Sequence, residues 1–245
     1  MSDIGKVAME RDRVYNRHGW TFQERGAGDL AVLWGQNANT QPLFFWLIAY
    51  VYSTPGLLAR LRTEIAPYCT LSDTMPLEIN SMNLPGLFAN GPLLKASIFE
   101  TYRMANEATS IRYVARPVTI DDGACKHELQ PGMFISAPHS VNQRDPLVYP
   151  EPDQFLSDRF LETDAESGKT VPRYGKVRPW GTGAAMCKGQ TFAEREIMVL
   201  GAAIISLWDI SPASGTWKIP AMIPGTGVKK PLTEMRVVIT RRVPP

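Results

Sequence analysis

Trp180-Gly181-Thr182-Gly183-Ala184-Ala185-Met186-Cys187-Lys188-Gly189 sets one cysteine among three glycines and behind a tryptophan. Glycines at 181, 183 and 189 let the backbone turn tightly and lie close to a flat partner. The residues that follow read as a helix over 188–208, so Cys187 is expected at its N-terminal end. There the helix dipole and free N–H groups favour thiolate over thiol. A cysteine that ligates iron in a planar macrocycle needs access to the ring, stabilised negative charge and backbone N–H groups aimed at sulfur. Glycine makes up about 7% of residues, so Gly at both −4 and +2 of a given cysteine arises by chance about 0.5% of the time. Adding an aromatic at −7 brings the figure for three cysteines to roughly 0.1%, which disfavours an ordinary buried cysteine in a glycine-rich turn.

Working outward, residues 139–186 are polar, proline-rich and read as irregular. Short strands are expected over 112–115, 118–120 and 133–135, with a terminal strand over 235–240. A helix over 90–106 carries Leu94, Ile98 and Tyr102 as an apolar stripe at i, i+4, i+8. On it Glu100 and Arg103, spaced i, i+3, share one face opposite that stripe, which by itself reads as a solvated surface ion pair. Thr54-Pro55 opens a helix over 56–66 that Pro67 stops. Thr21 and Glu24 have the spacing of a capping box, and a long helix is expected from there to about residue 53. Its middle, Gly35-Gln36-Asn37-Ala38-Asn39-Thr40-Gln41-Pro42, is a polar notch. Pro42 has no N–H for the Ala38 carbonyl and its ring crowds that oxygen, so a kink is expected. Helices come first, then small sheets and a long meander, then a helix: a mainly α chain with small β-sheets.

The 245 residues fit one domain or two; they are 44% hydrophobic and 20% charged, ordinary for a chain with a sizeable core. A net charge of +2 without a basic run gives no argument for nucleic acid or an anionic membrane patch. Fourteen of the 20 prolines follow Ser110, which concentrates loops in the second half. Cys69, Cys125 and Cys187 are too widely spaced for a disulfide framework and fit a reducing compartment. Residues 1–20 have no apolar signal-peptide core, and the apolar run 43–52 is too short to span a bilayer. Cys125, His127 and His139 offer three zinc ligands in a loop-rich region, with no obvious fourth.

The segment 180–189 resembles the cysteine loop of the cytochrome P-450 family: an aromatic, two residues, Gly, three residues, Cys, one residue, Gly. Trp180 stands where Phe is usual, Lys188 where Pro is common, and Ala185 where a basic residue often contacts a haem propionate. Glu100-Thr101-Tyr102-Arg103 precedes the loop by the family's usual interval, and Phe155-Leu156-Ser157-Asp158-Arg159-Phe160 resembles its meander motif. The notch with Asn39 and Thr40, followed by Pro42 and Phe45-Trp46, is similar to the branch containing sterol 7α- and 12α-hydroxylases, prostacyclin synthase and fungal relatives.

The resemblance implies the C-terminal portion of the cytochrome P-450 fold: a distal oxygen-binding helix over 21–53, a Glu-Arg helix over 90–106, the meander over 139–186 and a proximal helix over 188–208. It implies haem b, iron protoporphyrin IX, with Cys187 as axial iron ligand in the loop formed by Trp180, Gly181, Gly183 and Gly189. Arg112 matches a position that contacts a haem propionate, and His139 lies in another family-like stretch. Glu100, Arg103 and Arg159 form a structural triad. Thr40 relays protons with water, because the amide of Asn39 is no acid. The implied activity is monooxygenation of an apolar lipid, sterol or terpenoid-like metabolite, with electrons from an NADPH-dependent reductase facing cations such as Lys188. A haem isomerase needing no external electrons and an inactive remnant are the alternatives. The family's first half, including the anchor that holds relatives at the endoplasmic reticulum facing the cytosol, has no counterpart in the sequence. The chain is therefore expected to be a truncated gene model, a remnant, or a split protein completed by a partner.

Overall fold

The computed structural model describes residues 5–225 and 227–244, apart from the side chain of Ala185. It falls into two compact units, residues 1–39 and 40–245.

In the first unit, α1 (Lys6–Arg17) and α2 (Phe22–Asn37) are joined by a short turn. The sequence reading assigned no element to α1. Thr21 caps α2 by accepting the Glu24 N–H at 3.3 Å, while the Glu24 carboxylate accepts the Thr21 N–H at 2.7 Å, which completes the capping box. Tyr15 stacks on Trp20 with ring centroids 4.9 Å apart and donates to Asp29 at 2.9 Å. A Cβ on Gly28 would come within 2.8 Å of the Tyr15 hydroxyl, so only glycine permits this approach.

The single helix expected over 21–53 is interrupted at Ala38–Asn39, and α3 (Thr40–Ser53) starts afresh. Pro42 lies in the first turn of α3, where a missing N–H costs nothing, and the bond that would have joined the two helices to Ala38 does not exist.

In the second unit, α4 (Leu57–Ile65) follows a left-handed cap at Gly56 rather than the anticipated Thr54 cap, and a 3-10 turn, Ala66–Tyr68, ends it at Pro67. The hairpin β1 (Cys69–Leu71) and β2 (Ile79–Met82) leads to α5 (Leu84–Asn90) and α6 (Pro92–Ala105). Next come β3 (Thr109–Tyr113), β4 (Val118–Asp121), β5 (Lys126–Leu129), β6 (Phe134–Pro138) and α7 (His139–Gln143). The long connection afterwards contains β7 (Leu161–Thr163) and β8 (Thr170–Pro172), and the chain ends with α8 (Gln190–Leu207), β9 (Trp208–Pro212), β10 (Met222–Ile223), β11 (Lys230–Pro231) and β12 (Val237–Arg241). The strands pair into two-stranded antiparallel sheets: β1 with β2, β3 with β6, β4 with β5, β7 with β8, β9 with β12 and β10 with β11.

The core lies among α3, α4, α6 and α8. Trp46, Leu47, Leu61, Leu94, Ile98, Phe99, Ile197 and Met198 are essentially fully buried, each worth about 1.5–3 kcal/mol of transfer free energy. Helix α4 braces its neighbours through two charged side chains. Glu64 accepts the Leu93 and Leu94 N–H groups at 2.7 and 2.8 Å, capping α6. Arg62 donates to the carbonyls of Ile205 and Trp208 at 3.1 and 2.9 Å and pairs with Asp209, capping the C-terminal end of α8. With both ends fixed, α6 and α8 form the frame on which the cysteine loop is hung.

Candidate functional site

The cysteine loop leaves the core after β8 and re-enters it at α8. Gly181 and Gly183 have φ of 72° and 68°, a region that residues with a Cβ avoid. Their turns reverse the chain, and a 3-10 turn, Gly183–Ala185, carries it on to Cys187. The Cys187 N–H donates to the Trp180 carbonyl at 2.9 Å, closing the loop on itself. Cys187 is exposed. Gly189 caps α8, which begins at Gln190 and not at residue 188. Cys187 therefore stands two residues before the cap, at the N-terminal end of α8. The Ala185 side chain, where a propionate contact was in question, lies outside the described residues.

One side of the loop meets β3 and the start of α7. The Arg112 guanidinium reaches the Thr182 carbonyl at 3.4 Å and its own neighbour Ile111 at 2.8 Å, and otherwise faces solvent. His139 Nε2 lies 3.0 Å from Ser110 Oγ, and that hydroxyl is 3.9 Å from where a Gly181 Cβ would stand. Arg112 and His139 are thus gathered beside the loop with Ser110, a neighbour that sequence reasoning did not single out.

Behind the loop, Glu100 and Arg103 are completely buried. Helix α6 has no exposed polar face: from Leu93 to Ala105 every residue except Lys95 is buried, so the pair is not solvated and not set apart from an apolar stripe. The Arg103 fork holds the Glu100 carboxylate through Nε and Nη2, both at 2.7 Å. Its remaining N–H groups donate to the carbonyls of Gln143, Pro152 and Gln154, which satisfies all five donors. Arg159 adds a third contact to Glu100 at 3.1 Å and ties down the carbonyls of Pro150 and Glu151. The Leu156 N–H donates to the same carboxylate at 2.9 Å. Glu100 is therefore the point on which α6 and the irregular segment 143–159 converge. Arg144, from the family-like stretch that follows His139, joins in by pairing with Asp153 at 2.7 Å and donating to the Met104 carbonyl.

Asn39 lies in the break between α2 and α3, and Thr40, half-buried, is the first residue of α3. Among the described residues no hydrogen bond ties Thr40 to the cysteine loop. The zinc reading is overturned: among the described residues no group of His, Cys, Asp or Glu is placed to hold a metal ion. His127 instead pairs with Asp122 at 2.8 Å, and His139 faces Ser110. The His127 ring and the N–H groups of Cys125 and Ala124 hold the Asp122 carboxyl down at about 2. Lys188 is exposed.

The chain belongs to the cytochrome P-450 family, whose model matches residues 32–237. It is 27% identical over 218 residues to a cytochrome P-450 monooxygenase of Penicillium oxalicum, covering 89% of this chain and 44% of that protein. It is 27% identical to a 25-hydroxycholesterol 7-alpha-hydroxylase of Rattus norvegicus, covering 86% of this chain and 52% of the relative. A human 7-alpha-hydroxycholest-4-en-3-one 12-alpha-hydroxylase is 25% identical, with 84% and 43% covered. The chain spans about half the length of the curated relatives it matches. Fungal monooxygenases and sterol hydroxylases are groups that the distal motif around Asn39 and Thr40 resembles.

Proposed function

We propose that this chain carries the cysteine-ligand side of a haem-thiolate monooxygenase. The carrying observation is Cys187: an exposed thiol at the end of two left-handed glycine turns, with its N–H bonded back to Trp180. That donor set suits haem b. The thiol is free of any disulfide, the glycines present no side chain to a flat ring, and Arg112 beside the loop keeps most of its donors for a propionate. When bound, haem supplies dioxygen activation, which a thiolate ligand favours by pushing electron density toward the iron.

The protein's own part is to hold, orient and exclude. Cys187 holds the iron, and the Glu100–Arg103–Arg159 network acts structurally by keeping segment 143–159 against α6 behind the ligand. Thr40 can accept and donate, so its hydroxyl would hold a proton and pass it along water, while the Asn39 amide would orient without acting as an acid. The substrate would be an apolar lipid, sterol or terpenoid-like molecule, of which the two sterol hydroxylases named above support the sterol, and electrons would come from an NADPH-dependent reductase. Asn39, where an acid is usual, favours one second reading: a haem isomerase, distinguished by turnover that does not require NADPH.

In the haem-loaded chain the ferrous–CO complex should show the red-shifted Soret band of thiolate ligation, and Cys187→Ala should abolish it. An unchanged spectrum in the variant would refute the assignment. In a turnover-competent preparation, Thr40→Ala should uncouple NADPH consumption from product and release peroxide; coupled turnover at the parent level would remove Thr40 from the relay.

A further inference from the structure

The cysteine loop has little packing of its own. Residues 182–184 and 186–189 are exposed apart from the undescribed Ala185 side chain, and three of the loop's positions are glycine. Such a segment loses much conformational entropy on ordering, so the place of the sulfur depends on how the loop's two ends are held. Trp180 stands at the entry. Its carbonyl accepts the Cys187 N–H, and its indole N–H donates to the Tyr174 hydroxyl at 2.7 Å. Gln190 stands at the exit, and its side-chain amide donates to Glu194 Oε1 at 3.2 Å. The Tyr174 hydroxyl donates to that same oxygen.

We propose that Tyr174 and Glu194 are positioning residues: a polar clip that joins Trp180 to Gln190 across the mouth of the loop and so fixes Cys187. The inference rests on the assignment of Cys187 as haem ligand. Entry and exit, seven residues before the cysteine and three after it, meet on one carboxylate oxygen. The other oxygen lies 3.5 Å from Lys95 Nζ, a counter-charge for a carboxylate that is only 12% exposed. Tyr174 is held in place by stacking on Phe99, with centroids 3.8 Å apart and planes 20° from parallel, and Trp180 meets Tyr102 edge-on at 5.3 Å. Phe99, Tyr102 and Lys95 all belong to α6, so the clip anchors the exposed loop to the helix that carries Glu100 and Arg103. Burial and the bond to Glu194 push the Tyr174 phenol well above its usual range, so it stays the donor of that bond. Where a phenylalanine stands at position 180 there is no indole N–H to satisfy; here the tryptophan brings a donor, and the clip uses it.

The test is amide hydrogen exchange in the full haem-free chain, read beside the ferrous–CO spectrum of the haem-loaded one. Tyr174→Phe and Glu194→Leu should speed exchange at Met186 and Cys187, whose N–H groups bond back to Gly183 and Trp180, by about tenfold, as expected for loss of one charge-assisted hydrogen bond. Exchange in β9 and β12 should stay at the parent rate. Glu194→Gln, which keeps an acceptor oxygen, should restore most of the protection. Gln190→Ala, a mild change at a half-buried position, should loosen the same residues if the larger variants fold poorly. Trp180→Phe removes the donor that Tyr174 serves, so adding Tyr174→Phe to it should cost less than Tyr174→Phe alone. In the loaded chain the thiolate-type Soret fraction should fall in the same order. Unchanged exchange at Met186 and Cys187, or fully additive effects in the double variant, would overturn the clip. A spectrum insensitive to Cys187→Ala would remove the ligand assignment, whereas the exchange data would still judge the clip.

Discussion

Two carboxylate–guanidinium pairs in this protein are nearly alike in distance and differ in burial. Glu100 is wholly inside, held by Arg103 and Arg159. Asp158 meets Arg60 at 2.6 Å, but both side chains are more than half exposed. Removing one partner from a buried pair leaves an uncompensated charge, so Glu100→Ala should destabilise the chain by about 3–5 kcal/mol in denaturant titration. Asp158→Ala should cost no more than about 1 kcal/mol, because water screens the exposed pair. A Glu100 variant that unfolds like the parent would mean that the convergence of α6 and segment 143–159 is not what holds them together. Arg60 holds the Asp158 carboxyl below its usual range, so the small contribution of that pair is present at neutral pH and is lost as pH falls through the lowered value. From sequence, Glu100 and Arg103 were legible as neighbours, since i, i+3 spacing guarantees that. Their burial was not legible in the spacing, because the stripe Leu94, Ile98 and Tyr102 implied an opposite face in water and α6 has none; only the resemblance to the family's structural triad pointed to it. Tyr174 and Glu194 carried no local signal; their partners are brought together only by folding.

At the level of elements, strong local chemistry was readable and long-range chemistry was not. The capping box at Thr21, the stop at Pro67 and the glycine turns before Cys187 all follow from backbone rules that act within a few residues. Helix α5 was missed because Pro85 and Gly86 look like breakers, although proline is at home in a first turn and Asn83 caps the helix by accepting the Gly86 N–H at 3.0 Å. Strands β3, β4 and β6 overlap the segments 112–115, 118–120 and 133–135 expected from sequence, whereas β5, exposed along nearly its whole length and without inside–outside alternation, was missed. The brace supplied by α4 was equally invisible, since Glu64 caps a helix about 30 residues away. Glu64→Ala should destabilise the chain by about 0.5–2 kcal/mol, typical of a lost N-terminal cap. It should also raise hydrogen exchange at Leu93 and Leu94 before any other part of α6. Uniform exchange along α6 in the variant would assign Glu64 a packing role instead.

For the whole chain, the family was accessible from the cysteine loop together with the Glu-Arg pair, the meander motif and the distal notch, while the surface was not. The two-stranded sheet of β3 and β6 exposes Ile111, Tyr113 and Phe134 on one face, with Tyr113 and Phe134 edge-on at 5.4 Å. Contiguous apolar surface favours association. The 245-residue chain should therefore self-associate with rising concentration in sedimentation experiments, and Tyr113→Ser with Phe134→Ser should shift it toward monomer. Monomeric sedimentation of the parent at high concentration would show that this sheet is covered in solution. No single helix among the described residues is long and apolar enough to cross a membrane.

The central claim is that Cys187 binds the haem iron through sulfur. X-ray absorption at the iron edge of the haem-loaded chain reads that bond directly. A sulfur scatterer in the first coordination shell of the parent, absent from Cys187→Ala under the same loading, is the predicted result. A first shell of nitrogen and oxygen alone in the parent, or a sulfur signal that survives the substitution, would contradict it.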